Sequence, residues 1–183
     1  MTISDVIFYK NLGLQLKEIC GMEVSTPKQH HELFAEKIVE LERQQEMLTR
    51  RMKKLRYHMQ AVEMLEMLNA QPYQQTDIDT DCVVSFDLIE KDKLRRYIEN
   101  PYLYTRVQHS QSLPQEQRGI TVSANMSSSF PETSILWRKQ STQYMTFLMK
   151  EEVTTGFPND LSEHLAHIQE SYCTGAIISR FLL

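Results

Sequence analysis

Residues 34–65 read FAEKIVELERQQEMLTRRMKKLRYHMQAVEML and carry large apolar residues in alternating steps of three and four. This spacing is the a and d pattern of a heptad repeat, which places a narrow apolar stripe along a helix. We call the nine positions of this stripe the seam: Phe34, Ile38, Leu41, Gln45, Leu48, Met52, Leu55, Met59 and Val62. A period of 3.5 residues kept over about four heptads predicts a coiled coil. The alternative is an amphipathic helix that lies on its own domain.

Gln45 is the one polar residue of the seam. A polar side chain at an a position costs stability, but it disfavours registers in which it faces an apolar residue. We therefore interpret Gln45 as a residue that sets the register of the coil. Met52 and Met59 are flexible, which suits packing against a partner of different shape.

The helix that carries the seam is predicted to span residues 27–71. Thr26 and Gln29 form a capping-box pattern, and Pro27 occupies the first helical position. No proline or glycine follows until Pro72. Such a helix would be about 65 Å long at 1.5 Å per residue. A chain of 183 residues cannot easily cover that length, which favours a partner.

The residues that flank the seam indicate what kind of partner it has. In a parallel two-stranded coil, each g residue approaches the e residue five positions later on the other chain. In a homodimer these three contacts would be attractive, neutral and repulsive in turn: Lys37–Glu42, Gln44–Thr49 and Arg51–Arg56. We therefore favour a heterodimer with an acidic partner helix over a homodimer.

A cluster of basic residues rings the same helix. We call it the basic collar: Arg50, Arg51, Lys53, Lys54 and Arg56. It can be a solvated face, bind an acidic protein, or bind nucleic-acid phosphate. The glutamates of the preceding half of the helix and the lack of interleaved aromatic residues count against nucleic acid. A membrane partner is not expected.

The first 26 residues are predicted to form one short helix, from about Ser4 to Cys20, with Gly21 as its C-cap. Four apolar residues recur in it at helical spacing: Phe8, Leu12, Leu16 and Ile19. They are candidates for a helix that docks another subunit. An intramolecular hairpin against the coil is an equal alternative.

The rest of the chain is predicted to be a polar linker, residues 72–81, and a small α+β domain, residues 82–183. Strands are expected at 82–90, 119–126 and 135–140, and residues 143–155 are read as a strand or a helix. A helix over 91–103 should stop before Pro101, and 108–119 and 127–134 should be loops. A last helix opening at Asp160 is expected to run close to the C-terminus. The fold class is thus α+β, a two-layer domain closed by a C-terminal helix.

Composition excludes several classes of function. The net charge of −4 gives no general reason to bind nucleic acid or an anionic membrane. All five glycines stand alone, so no loop has the clustered glycines that cradle a phosphate. Three widely spaced cysteines do not form a disulfide framework. With neither a long apolar run nor a secretory signal, we expect an intracellular protein, in the nucleus or cytoplasm.

The candidate chemical motifs are weak. His164, His167 and Cys173 suggest zinc, but no convincing fourth ligand accompanies them. Asp77, Asp79 and Asp81 alternate like calcium ligands, yet the central glycine and distal glutamate of an EF-hand are absent from this stretch. Cys82 is most simply a buried small residue. We expect no metal, no cofactor and no enzymatic activity; a zinc-dependent enzyme is the least favoured alternative.

In the order of its elements, a helical arm before a small sheet domain, the chain resembles the coiled-coil-plus-RWD-domain subunits of kinetochore complexes. The resemblance covers this order only and includes no diagnostic motif. It implies a non-enzymatic subunit of a multiprotein assembly that acts in chromosome segregation.

Overall fold

The structure is a computed structural model that describes residues 2–87, 89–154 and 156–182. The helices are α1 (Ile3–Asn11), α2 (Leu16–Met22), α3 (Pro27–Ala70), α4 (Lys91–Glu99), α5 (Ala124–Ser127) and α6 (Leu161–Gln169), with 3-10 turns at Pro101–Leu103 and Glu132–Ser134. The strands are β1 (Gln74–Thr76), β2 (Cys82–Ser85), β3 (Tyr104–His109), β4 (Glu116–Val122), β5 (Ile135–Arg138), β6 (Tyr144–Thr146) and β7 (Ala176–Arg180). The chain thus mixes helix and sheet, with a long N-terminal helix and a curled antiparallel sheet. Leu88 and Thr155, which fall in predicted strands, lie outside the described residues.

The chain divides into two compact units, Met1–Lys53 and Lys54–Leu183. The division falls inside α3. Residues 27–53 of this helix therefore belong to the first unit and residues 54–70 to the second.

The prediction of a single helix from Ser4 to Cys20 is wrong. The chain turns between α1 and α2 at Gly13, whose φ of +84° lies in the left-handed region that favours glycine. A new helix then starts after Gln15, whose backbone N–H donates to the Glu18 carboxylate at 2.6 Å. Gly21 lies inside α2 and is not a C-cap.

The predicted start and length of α3 are confirmed. The Thr26 N–H donates to Gln29 Oε1 at 2.7 Å, and the Gln29 N–H donates to Thr26 Oγ1 at 3.4 Å. This reciprocal pair satisfies two N–H groups that the first turn of a helix leaves without partners. The helix then continues without a break to Ala70.

The second unit contains a five-stranded antiparallel sheet of order β5-β2-β4-β3-β7 and a two-stranded sheet of β1 and β6. Neighbouring residues of β2 point to opposite faces of the large sheet. Val84 packs with Ile120 in one apolar cluster, whereas Val83 packs with Val107 and Trp137 in another. Both faces of the sheet are therefore covered.

Two predictions about this unit are wrong. The last helix ends at Gln169, and the chain returns to the sheet as β7, so the domain is not closed by a C-terminal helix. Residues 108–119 are not a loop throughout, because β3 and β4 extend into them from both sides. The strands predicted at 82–90, 119–126 and 135–140 are confirmed in part, as β2, β4 and β5. The end of the second of these predictions is wrong, because α5 begins at Ala124. The helix α4 ends before Pro101 as expected. Of residues 143–155, Tyr144–Thr146 form a strand.

Candidate functional site

The first unit is held together by an apolar cluster at the start of α3. Leu14, Ile19 and Met22 are buried, and Val6, Tyr9, Leu33 and Phe34 pack against them. The side chain of His30 reaches the carbonyl oxygen of Met22 at 2.9 Å. The helices α1 and α2 therefore pack onto α3, and Phe34 lies among them.

The structure separates the four residues of the predicted docking helix. Ile19 is buried in the apolar cluster, whereas Phe8, Leu12 and Leu16 are exposed. The N-terminal helices do pack within the chain, but Ile19 together with Leu14 and Met22 anchors them, and Phe8, Leu12 and Leu16 do not.

Beyond Phe34, the seam residues of the first unit lie on the surface. Ile38 and Leu48 each keep 56% of their area exposed, and Leu41 and Met52 each keep 49%. Gln45 is also exposed. Large apolar side chains in a regular row at the surface are characteristic of an interaction site.

The seam residues of the second unit are exposed as well. Leu55 and Met59 keep 63% and 61% of their area accessible, and Val62 keeps 39%. The buried residues of this part of α3 are Ala61 and Leu68. At 100° per residue, Ala61 points to a different side of the helix from Met59 and Val62. The face that this helix buries within its own unit is therefore not the seam.

His58 of α3 bonds the Tyr102 hydroxyl through its Nδ1. Its ring also meets the ring of Tyr102 edge-on, with centroids 5.3 Å apart. This contact ties the α3 residues of the second unit to the turn that precedes β3.

Some charges of α3 are neutralised within the helix. Lys37 Nζ lies 2.9 Å from Glu40 Oε2, and the Lys37 side chain is only 16% exposed. This hydrogen bond raises the pKa of Lys37 and lowers that of Glu40 from their ordinary values. Arg50 pairs with Glu46 at 3.7 Å. The attraction that Lys37 would offer to another chain is thus partly used already.

Three members of the basic collar differ from Arg50 in their ion pairing. Among the residues that the structure describes, no ion pair is formed by Arg51 in the first unit or by Lys54 and Arg56 in the second. All three are exposed. Arg51 and Arg56 occupy the g and e positions that border the seam, so their charges are available to a partner.

The histidines of the second unit are part of its packing. The Tyr73 hydroxyl lies 2.7 Å from His164 Nδ1, and Asp160 Oδ1 lies 3.4 Å from His164 Nε2. The ring of His167 packs on Tyr73, with centroids 4.8 Å apart. Within residues 2–87, 89–154 and 156–182, no three His, Cys, Asp or Glu side chains come together as metal ligands.

The three alternating aspartates also serve separate contacts. Asp77 pairs with Lys139 and Asp79 with Arg180, each at 2.6 Å. Asp81 accepts from the Ala124 N–H at 3.0 Å. The three carboxylates therefore bond three different partners: a residue after β5, a residue of β7 and the first residue of α5.

The three cysteines are free thiols. Cys82 is buried in the sheet, as expected, and burial raises the pKa of its thiol. Cys20 and Cys173 are exposed.

Sequence reasoning missed a buried ionic cluster on β3. Arg106 Nη2 lies 2.8 Å from Glu151 Oε2, its Nη1 lies 3.5 Å from Glu116, and its guanidinium covers the ring of Phe181. Both carboxylate oxygens of Glu151 are buried, and neither accepts a hydrogen bond from a residue that the structure describes. No spacing in the sequence signals an ion pair between residues that are 45 positions apart and meet only in the tertiary structure.

Among the residues that the structure describes, no helix is both long enough and apolar enough to span a membrane. Comparisons of the chain with models of protein families, with curated proteins and with solved structures returned no match.

Proposed function

We propose that this protein is a non-enzymatic subunit of a multiprotein assembly that associates through the seam of α3. The observation that carries the proposal is the exposure of the seam from Ile38 to Val62. Ile38, Leu41, Leu48, Met52, Leu55, Met59 and Val62 all keep at least 39% of their area accessible. A helix that covered its own domain with this stripe would bury it.

The proposal extends to what the rest of the chain does. Coiled-coil pairing of α3 leaves the sheet of the second unit free to act as a docking domain for further subunits. The partner helix belongs to a different protein in preference to a second copy. The likeness in element order to coiled-coil-plus-RWD subunits supports a role in kinetochores and cell division, although β7 after α6 departs from the expected layout. An intracellular location, in the nucleus or cytoplasm, accompanies this role.

Light scattering on the full chain tests the proposal. We expect a mass above the 21.5 kDa of one chain, because an unpaired apolar seam self-associates when its partner is missing. Replacing Leu41 and Leu48 by glutamine should restore a monomer.

The matched control replaces Arg43 and Lys17 by glutamine. Arg43 occupies an f position, which faces away from the seam, and Lys17 is an exposed residue of α2, so this variant should associate like the parent protein. A parent chain that is monomeric with α3 fully helical and that binds no partner helix would overturn the proposal, as would equal behaviour of the two variants.

A second candidate function is nucleic-acid binding through the basic collar. It is favoured by Arg51, Lys54 and Arg56, which are exposed without ion pairs among the described residues. Glu42 and Glu46 on the same helix oppose it, because they repel phosphate. Neutralising the five collar residues should abolish DNA binding and its dependence on salt; binding that is unchanged would end this alternative.

A further inference from the structure

We infer that the partner of α3 is a helix of a different chain with two properties. It carries acidic residues against Arg51 and Arg56, and it places a polar side chain against Gln45. This inference rests on the proposed function, since it names the chemistry of the chain that the seam binds. A second copy of α3 cannot provide both the hydrogen bond for Gln45 and the acidic residues for Arg51 and Arg56, in either orientation.

A parallel second copy of α3 can provide a hydrogen-bond partner for Gln45, but it places positive charges next to each other. In that arrangement each seam residue faces its own equivalent, so the two Gln45 side chains meet and can share a hydrogen bond. Arg51 of each copy, however, approaches Arg56 of the other, and the repulsion occurs twice. The compensating Lys37–Glu42 attraction is weakened, because Lys37 is already bonded to Glu40 and mostly covered.

An antiparallel second copy can neutralise Arg56, but it brings the two copies of Arg51 together at facing g positions and buries Gln45 against apolar residues. With the two helices aligned around Arg50, Glu42 of each copy approaches Arg56 of the other, which is attractive. In an antiparallel coil, however, an a residue packs against a d residue of the other chain. All d residues of the seam are apolar: Phe34, Leu41, Leu48, Leu55 and Val62. Gln45 would therefore be buried twice against apolar side chains in every antiparallel register, and an amide buried without a hydrogen bond is costly.

A different chain removes both conflicts at once. Acidic residues beside the seam neutralise Arg51 and Arg56, which have no ion pair among the described residues. A polar residue opposite Gln45 supplies a hydrogen bond, which the Gln45 side chain makes with none of the residues in the described part of the chain. The partner pairs from about Ile38 onward, since Phe34 is taken up by the chain's own α1 and α2.

Synthetic helical peptides of about four heptads test the inference on the full chain. Two peptides share the same a and d residues, with one asparagine placed to face Gln45, and differ in having glutamate or lysine at every e and g position. We expect the glutamate peptide to bind at least tenfold more tightly, with an affinity that falls as salt is raised. Replacing its asparagine by isoleucine should weaken binding.

A charge reversal with a matched control completes the test. Arg51→Glu with Arg56→Glu should weaken the glutamate peptide by about tenfold and strengthen the lysine peptide. Arg43→Glu with Lys17→Glu changes the net charge equally, at an f position of α3 and at an exposed position of α2, and should leave the preference unchanged.

The possible failures can be told apart. If the chain forms a stable homodimer through the seam and ignores both peptides, the proposed association stands and the inference of a different, acidic partner is overturned. Equal binding of both peptides, or tighter binding of the isoleucine peptide, also overturns it. A folded monomer that binds no peptide overturns the proposed function as well.

Discussion

The ring of Tyr9 on α1 stacks on Phe34 of α3, with centroids 6.3 Å apart and ring planes 19° from parallel. Phe34 is the first residue of the heptad pattern, yet its side chain packs within the N-terminal unit. The heptad period alone does not distinguish this residue from Ile38, which lies one step along the seam and is exposed. The stacking therefore marks where the N-terminal core ends and where the free part of the seam begins.

Phe34 and Ile38 should respond differently to truncation. Phe34→Ala removes a packed ring and should lower the free energy of unfolding of the N-terminal unit by about 2 kcal/mol, less than for a fully buried phenylalanine. Ile38→Ala removes exposed area and should change it by less than about 0.5 kcal/mol, while weakening self-association. Urea unfolding and light scattering measure the two effects, and equal loss of stability in both variants would contradict the assignment.

Gly119 should tolerate no side chain. A Cβ at this position in β4 would lie 2.4 Å from Val83 Cγ1 and 2.7 Å from the Val84 carbonyl oxygen. Gly119→Ala should therefore destabilise the second unit by about 1–3 kcal/mol through overpacking. Gly175→Ala is the control, because its nearest neighbour would be 4.0 Å away, and thermal unfolding should show little change. Similar melting temperatures for both variants would show that the sheet is not packed as described.

Arg106 should be essential for keeping Glu151 buried. Arg106→Met leaves the Glu151 carboxylate without its cation in a buried site, and we expect a loss of about 3 kcal/mol in unfolding free energy. Glu116 keeps a partner in this variant, since Arg118 lies 3.2 Å from it. The double variant Arg106→Met with Glu151→Met should regain most of the stability. If the single variant unfolds like the parent protein in urea, the pair has no structural role.

The Asp77–Lys139 pair should make a small, pH-dependent contribution. The hydrogen bond from Lys139 lowers the pKa of Asp77 from its ordinary 3.8 and raises that of Lys139 from 10.5. Because the pKa of Asp77 is lowered in the folded protein, the ionised carboxylate stabilises the fold above pH 3.8. This stabilisation is lost as the pH falls through the lowered pKa of Asp77. The raised lysine pKa stabilises the fold below pH 10.5, and this is lost as pH rises through the raised value.

Carbon-13 NMR titration of the Asp77 carboxyl group measures this effect. In Lys139→Met its pKa should move back up towards 3.8, whereas Lys139→Arg should keep it low. A pKa that is the same in both variants would mean that Lys139 is not the cause of the shift.

The features that could be read from the sequence depend on neighbouring residues. The capping box at Thr26, the uninterrupted helical sequence up to Ala70 and the β-branched residues of Cys82–Ser85 are local signals, and the structure has the helix start, the helix and the strand that they predict. Gly13 and Gly21 show the limit of such signals. Both are isolated glycines near a helix end, and the turn forms at Gly13 because the apolar residues on both sides of it, Tyr9 and Ile19, pack into one cluster.

The features that could not be read depend on long-range packing. Residues 176–180 form a strand because β3 offers them an unpaired edge, with Val107 opposite Ile178, and nothing within the last fifteen residues reveals that edge. The burial of Glu151 likewise depends on Arg106, from a distant strand. In α3 both kinds of information are needed. The heptad pattern identifies the apolar residues of the seam, but their exposure depends on which side of the helix the rest of the chain covers. Ala61 and Leu68 are buried there, and the seam beyond Phe34 is exposed.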